Sequence, residues 1–127
     1  SEGQLGDGTT TARLTPVQVV GSGGSGFLTG VVSVAAGDRF TLALKGDGTV
    51  WAWGNNQNGQ LGDGTNTNSS TPVQVSGLTD VMAIAAGMNH SLALKSDGTV
   101  WSWGDNSSGQ LGDGTTVSKN TPVKVKF

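Results

Sequence analysis

The chain has 127 residues, a length that fits one ordinary domain with a small core, burying about two thirds of its unfolded surface. Its 22 Gly, 34% hydrophobic and 13% charged residues are too uncharged for a disordered tail and too glycine-rich for a helical bundle, and read as turn-rich and all-β. Seven Lys and Arg against nine Asp and Glu, with no basic run and no Cys, exclude a nucleic-acid partner, disulfides, thiolate chemistry and Cys-based zinc sites. No apolar run approaches the roughly 18 to 20 residues of a membrane helix and no leader opens the chain, so a soluble piece with no membrane partner is expected.

Residues 1–20 carry "GQLGDGTTTARLTPVQV", which returns as "GQLGDGTNTNSSTPVQV" at 59–75 and "GQLGDGTTVSKNTPVKV" at 109–125. They read as a loop and one outer strand, "TPVQVV", of a preceding unit. Residues 21–30 are a Gly/Ser-rich insertion. It accounts for the spacing of 56 from Leu5 to Leu61 where Leu61 to Leu111 spans 50. Its "GSGGSG" matches G-x-G-x-x-G, but a dinucleotide site needs a following helix, and "FLTGVVSVAAG" is strand-like.

Residues 31–75 and 81–125 are two full copies joined by the connector 76–80. Between 31–54 and 81–104, 15 of 24 positions are identical, so an internal repeat organises the fold. Each copy reads as four short strands, which in the second are 81–87, 90–95, 99–104 and 121–125; no segment holds helical periodicity. Asp47-Gly48 and Asp97-Gly98 predict two-residue type I′ hairpins. That register sets Leu94 opposite Trp101, Ala93 opposite Ser102 and Leu92 opposite Trp103, with Leu44, Ala43 and Leu42 likewise facing Trp51, Ala52 and Trp53. One face is then Leu and Trp and the other Ala and Ser, and both must be packed if bulky faces meet smooth ones in a stack. Pro122 opens the outer edge strand, where a missing N–H is tolerated.

About 50 residues per four-stranded meander fits a β-propeller blade. Trp-Gly rather than Trp-Asp, and the lack of Tyr, argue against the Trp-Asp and kelch types. The stretch "AAGMNHSLALKSDGTVWSWGDNSSGQLGDGT", residues 85–115, resembles the repeat of the regulator of chromosome condensation family. The resemblance implies a seven-bladed propeller. In different relatives such propellers act as exchange factors for a small nuclear GTPase, bind nucleosomes or inhibit β-lactamases; the basic tail and exchange wedge of the nuclear protein are not visible here. Phe40 and Thr41 stand where His90 and Ser91 stand, so the first copy lacks the His-Ser element. Two blades cannot close a ring, which leaves a segment of a longer propeller, a homo-oligomeric ring, or a head-to-tail filament.

No catalytic set is assembled. His90 is the only histidine and its counterpart is Phe40, so a structural role is expected and an enzyme is not. Asp7, Asp63 and Asp113 recur in "LGDGT" with one acid per loop, which suits a turn rather than calcium. Trp51, Trp53, Trp101 and Trp103 read as core. No metal or cofactor is implied.

A meander sends its connections alternately to its two ends. The Asp-Gly turns and blade crossovers share one end; the turns at Asp38, Arg39, Met88 and Asn89 share the other with the long loops 55–70 and 105–120. That second end differs most between copies: "DRF" against "MNH", "NNQN" against "DNSS", "TNTNSS" against "TTVSKN". It is the candidate partner face, formed by Asp38, Arg39, Asn56, Gln57, Asn58, Met88, Asn89, Asn106, Ser107 and Ser108. The expectation is a non-enzymatic protein-interaction scaffold, of bacterial and extracellular setting, whose partner is another protein. The alternative is a structural subunit that self-assembles as ring or filament through exposed blade faces.

Overall fold

The computed structural model describes residues 1–127. Eight strands form two four-stranded antiparallel sheets in plain sequential order. The first holds β1 (Val31–Ala36), β2 (Phe40–Lys45), β3 (Val50–Gly54) and β4 (Ser69–Gln74). The second holds β5 (Val81–Ala86), β6 (His90–Lys95), β7 (Val100–Gly104) and β8 (Lys119–Lys124). Alternating Val, Leu, Ala and Trp supply the half-buried pleated surface each strand needs. No helix is long and apolar enough to cross a membrane. The architecture is all-β, two propeller blades of an incomplete propeller.

The hairpin register differs from the sequence expectation. Lys95 N–H donates to Thr99 O at 2.9 Å and Gly98 N–H to Lys95 O at 3.0 Å, with Lys45, Gly48 and Thr49 repeating the pattern. The loop therefore has three residues, Ser96-Asp97-Gly98, a type I turn closed by a glycine bulge. Only glycine takes positive φ here, +83° at Gly48 and +85° at Gly98, while the preceding Asp does not. Each Asp instead accepts from the Thr two residues on: Thr99 donates to Asp97 Oδ1 through its N–H at 2.9 Å and its hydroxyl at 2.6 Å.

One residue of slip exchanges the faces. Leu94 pairs with Val100, Ala93 with Trp101, Leu92 with Ser102 and Ser91 with Trp103; in the first blade Leu44 pairs with Val50, Ala43 with Trp51, Leu42 with Ala52 and Thr41 with Trp53. Leu and Trp thus lie on opposite faces, correcting the single Leu-Trp face expected above. Every blade has a leucine face and a tryptophan face.

The blades stack leucine face to tryptophan face. Leu42, Leu44, Val50 and Ala52 of the first blade enter one buried cluster with Ala93 and Trp103 of the second, closed by Leu61, Val75, Leu78 and Val81. Fully burying each of the large members contributes about 1.5–3 kcal/mol, so each sheet draws much of its core from the other. The inner strand β5 lies against both β1 and β2.

Residues 1–20 cover the tryptophan face of the first blade as the loop 57–76 covers that of the second. Val20 N–H donates to Gly6 O as Ser76 does to Gly62 O and Lys126 to Gly112 O. The stretch "TPVQVV" has no sheet of its own beside it and makes a single bridge, Val20 with Phe27. The insertion contains a short 3-10 turn, Ser22–Gly24, with no helix following. Pro122 sits inside β8 rather than at its start. As β8 is the outer edge strand, its absent N–H removes no ladder bond from a neighbour.

Candidate functional site

The repeated "GQLGDGT" builds each long loop from within. Asn56 Nδ2 donates to the carbonyls of Thr65 at 2.9 Å and Thr67 at 3.1 Å, while its Oδ1 accepts from Leu61 N–H at 2.9 Å. Asn106 repeats this with Thr115 O, Val117 O and Leu111 N–H, each at 3.0 Å. Both Asn are fully buried, and a buried amide is stable only when its donors and acceptor are satisfied. Asn56 and Asn106 were expected on the partner face; their side chains instead hold the loops together, and burial removes them from it.

Asp63 and Asp113 accept from Thr65 and Thr115 through both N–H and hydroxyl, as Asp7 does from Thr9. Thr hydroxyls hold the Asp7 and Asp113 carboxyls below the ordinary value, the Arg13 side chain assisting at Asp7 and Asn106 and Lys119 at Asp113. The recurring Asp is a turn former. At the Asn55 position the second blade has Asp105, held low first by Ser107 N–H and then by the Ser107 hydroxyl, Gln110 and Ser118.

Between the loops a second device joins the units. Gln60 O accepts from Trp103 Nε1 at 2.9 Å and from Ser91 Oγ at 3.0 Å. Gln4 O accepts from Trp53 Nε1 at 2.9 Å and Thr41 Oγ1 at 3.0 Å. One main-chain carbonyl therefore receives an indole and a hydroxyl from the neighbouring sheet. Gly62, at φ +70°, lets the loop approach the indole, since a Cβ there would lie 2.7 Å from Trp103 Nε1. Thr41 performs the task of Ser91. Phe40 also matches His90, for each ring lies where a Cβ on Gly37 or Gly87 would stand. The missing His-Ser element of the first copy is thus replaced in kind, and His90 is a packing residue.

What remains exposed gathers at the loop-bearing end. Asp38, Arg39, Asn55, Gln57, Asn58 and Asn89 line one polar cleft of about 210 Å³ between the blades. It is drawn together by Asp38 N–H donating to Met88 O at 3.0 Å and Asn55 N–H to Arg39 O at 2.8 Å. Arg39, 60% exposed, lies 3.5 Å from Asp38 and 3.7 Å from Glu2. Met88 is 70% exposed beside the cleft. The side-chain amide of Asn55 accepts from Gln60 Nε2 at 3.0 Å, whereas no intramolecular hydrogen bond engages those of Gln57, Asn58 and Asn89. Ser107 and Ser108 occupy the matching exposed positions of the second loop. Five of the expected residues, Asp38, Arg39, Gln57, Asn58 and Asn89, share the cleft, and Asn55 was missed.

The Regulator of chromosome condensation (RCC1) repeat pattern matches residues 1–44, 47–94 and 97–127. The chain belongs to that repeat family. The family's units break at the Asp-Gly hairpins, so each takes the outer half of one blade and the inner half of the next. The Ultraviolet-B receptor UVR8 of Arabidopsis thaliana is 38% identical over 73 residues, 58% of this chain and 16% of the receptor. Yeast RCC1 (Prp20), in its crystal structure bound to Kap60, superposes with a TM-score of 0.67 and 33% identity over 76% of this chain and 23% of that one. Human WBSCR16 gives a TM-score of 0.75 and 29% identity over 99% of this chain and 33% of that one. The chain thus spans a third or less of each relative named. These relatives are all eukaryotic.

Proposed function

We propose that this repeat unit is a non-enzymatic protein-protein interaction scaffold that binds through its loop-bearing end. The observation that carries the reading is the division of labour among the loop amides. Asn55, Asn56, Gln60 and Asn106 are engaged internally, while Gln57, Asn58 and Asn89 surround the polar cleft with their hydrogen-bonding groups turned to no partner in the chain. Adaptable amides around an exposed Arg and an exposed Met form a recognition surface with a point of anchorage. A protein occupant is in keeping with the yeast relative, which was solved bound to Kap60.

The test is photo-cross-linking from Gln57 and Asn89, with Ser96 at the opposite end as control, followed by calorimetry with the purified cross-linked protein. Cross-links from the loop end and a loss of about tenfold or more in affinity for Arg39→Ala combined with Asn89→Ala, the size of one hot-spot side chain, are expected. Cross-links confined to Ser96, or an affinity indifferent to both substitutions, overturn the reading.

A further inference from the structure

The cleft between the blades has a fixed frame and free side chains. Gln57 N–H donates to Asn55 Oδ1 at 3.1 Å, Gln57 O accepts from Asn66 Nδ2 at 3.1 Å and Asn58 N–H donates to Gln60 Oε1 at 2.9 Å. On the facing turn Asn89 O accepts from Asp105 N–H at 2.9 Å. The main chain at these three residues is thus tied down, and each brings to the cleft a side-chain amide that makes no hydrogen bond within the chain. The matching position of the second loop is not left free in this way, since Ser107 Oγ donates to Asp105 Oδ2 at 3.3 Å.

Charge is largely compensated in the cleft. Arg39 lies 3.5 Å from Asp38 and 3.7 Å from Glu2, beyond the roughly 2.7–3.2 Å of an N–H to O hydrogen bond. The guanidinium is therefore neutralised yet keeps N–H groups to give. An incoming carboxylate would meet two carboxylates and an incoming ammonium would meet Arg39, so a charged side chain gains little. No aromatic ring lines the cleft, so a sugar ring finds no flat apolar platform. A side-chain amide, by contrast, carries a carbonyl acceptor and N–H donors in one plane, the same set that a peptide group carries.

We propose that the cleft receives an uncharged, extended stretch of partner main chain, whose peptide groups pair with the amides of Gln57, Asn58 and Asn89 and whose carbonyl oxygens accept from Arg39. The proposal rests on the loop-bearing end being the binding face and names what that face recognises. Met88, 70% exposed on the rim, offers an adaptable apolar contact to a side chain leaving that stretch. Asp38 N–H on Met88 O and Asn55 N–H on Arg39 O hold the walls together before the occupant arrives, so little ordering of the cleft opposes docking.

The experiment titrates the nitrogen-labelled full chain with acetylated and amidated tetra-alanine and follows the side-chain N–H resonances by NMR. Those of Gln57, Asn58, Asn89 and Arg39 are expected to shift together and saturably. The ester-linked analogue of the same peptide, which has the shape but no N–H donors, should bind about tenfold more weakly. Asn58→Asp combined with Asn89→Asp, which keeps the side-chain shape and removes the donors, should weaken the peptide by about tenfold as well, whereas Ser96→Ala at the opposite end should leave it unchanged. Absence of shifts with the capped peptide, equal binding of peptide and ester, or stronger shifts with acetate, butylammonium or methyl glucoside overturns the proposal. The probe needs no partner, so this failure is distinct from failure of the scaffold reading, which shows as cross-links confined to Ser96.

Discussion

The shared carbonyl makes a quantitative prediction at the interface between the blades. Ser91 and Trp103 are both fully buried, and Gln60 is 1% exposed. Ser91→Ala removes one donor but leaves Gln60 O with the indole, so about 1 kcal/mol is lost. Trp103→Phe removes the other donor, about 1 kcal/mol, and leaves a void of about 40 Å³, worth about another 1 kcal/mol at roughly 24 cal/mol per Å³. The double variant strands a buried carbonyl with no donor, which adds about 1–2 kcal/mol beyond the sum of the singles. Urea denaturation by far-UV circular dichroism gives all corners of the cycle, provided m is constant. Gln4 supplies the control: it is partly exposed, so water replaces a lost donor, and the Thr41→Val with Trp53→Phe cycle should couple weakly. Additivity at Gln60 within about 0.3–0.5 kcal/mol, or equal coupling at both sites, would refute the shared-acceptor argument.

Two further outcomes follow from the loops and hairpins. Asn106→Ala leaves the buried Leu111 N–H without its acceptor and releases the part-buried Thr115 and Val117 carbonyls, and should cost about 1–3 kcal/mol, with amide exchange of the loop 105–120 rising toward the unprotected rate; Ser108→Ala, on the exposed rim, should change stability by under about 0.5 kcal/mol. Asp47, Asp97 and Asp113 are held below their ordinary 3.8 foremost by the Thr49, Thr99 and Thr115 hydroxyls. Because the folded form binds these protons less readily than the unfolded chain, their stabilisation is complete above that value and lost as pH falls through the lower folded values. Urea midpoints should accordingly be level above about pH 5 and drop below pH 4, and carboxyl NMR titration should find the Asp97 pKa raised by Thr99→Val.

The repeat, the eight strands and the loop-bearing end were legible because period, alternation and Asp-Gly turns are local signals. The register was not. Asp-Gly serves both a two-residue turn, with positive φ at each residue, and a three-residue loop in which glycine alone adopts it. The clue was the Thr after each Asp-Gly: a carboxylate that accepts from Thr49 or Thr99 belongs to an Asp turned back on its own hairpin. With the register went the faces, and with them the expected bulky-on-small stacking, since a leucine face meets a tryptophan face. The buried loop amides are hidden for a different reason: "NNQN" and "DNSS" differ as blocks, yet their second position is Asn in both, and that shared member is the buried, structural one. Trp103 and Ser91 meeting one carbonyl could not be read from sequence, because a main-chain acceptor leaves no mark in residue type.

The offset between family unit and folded blade constrains how such a chain comes apart. Each covalent unit is stitched across two sheets, so pulling out the segment 47–94 would leave a torn half-sheet on either side of the gap rather than a clean vacancy. Each sheet, by contrast, is four consecutive strands, so whole sheets rather than family units are the pieces that can come away, each baring the leucine or tryptophan face of its neighbour.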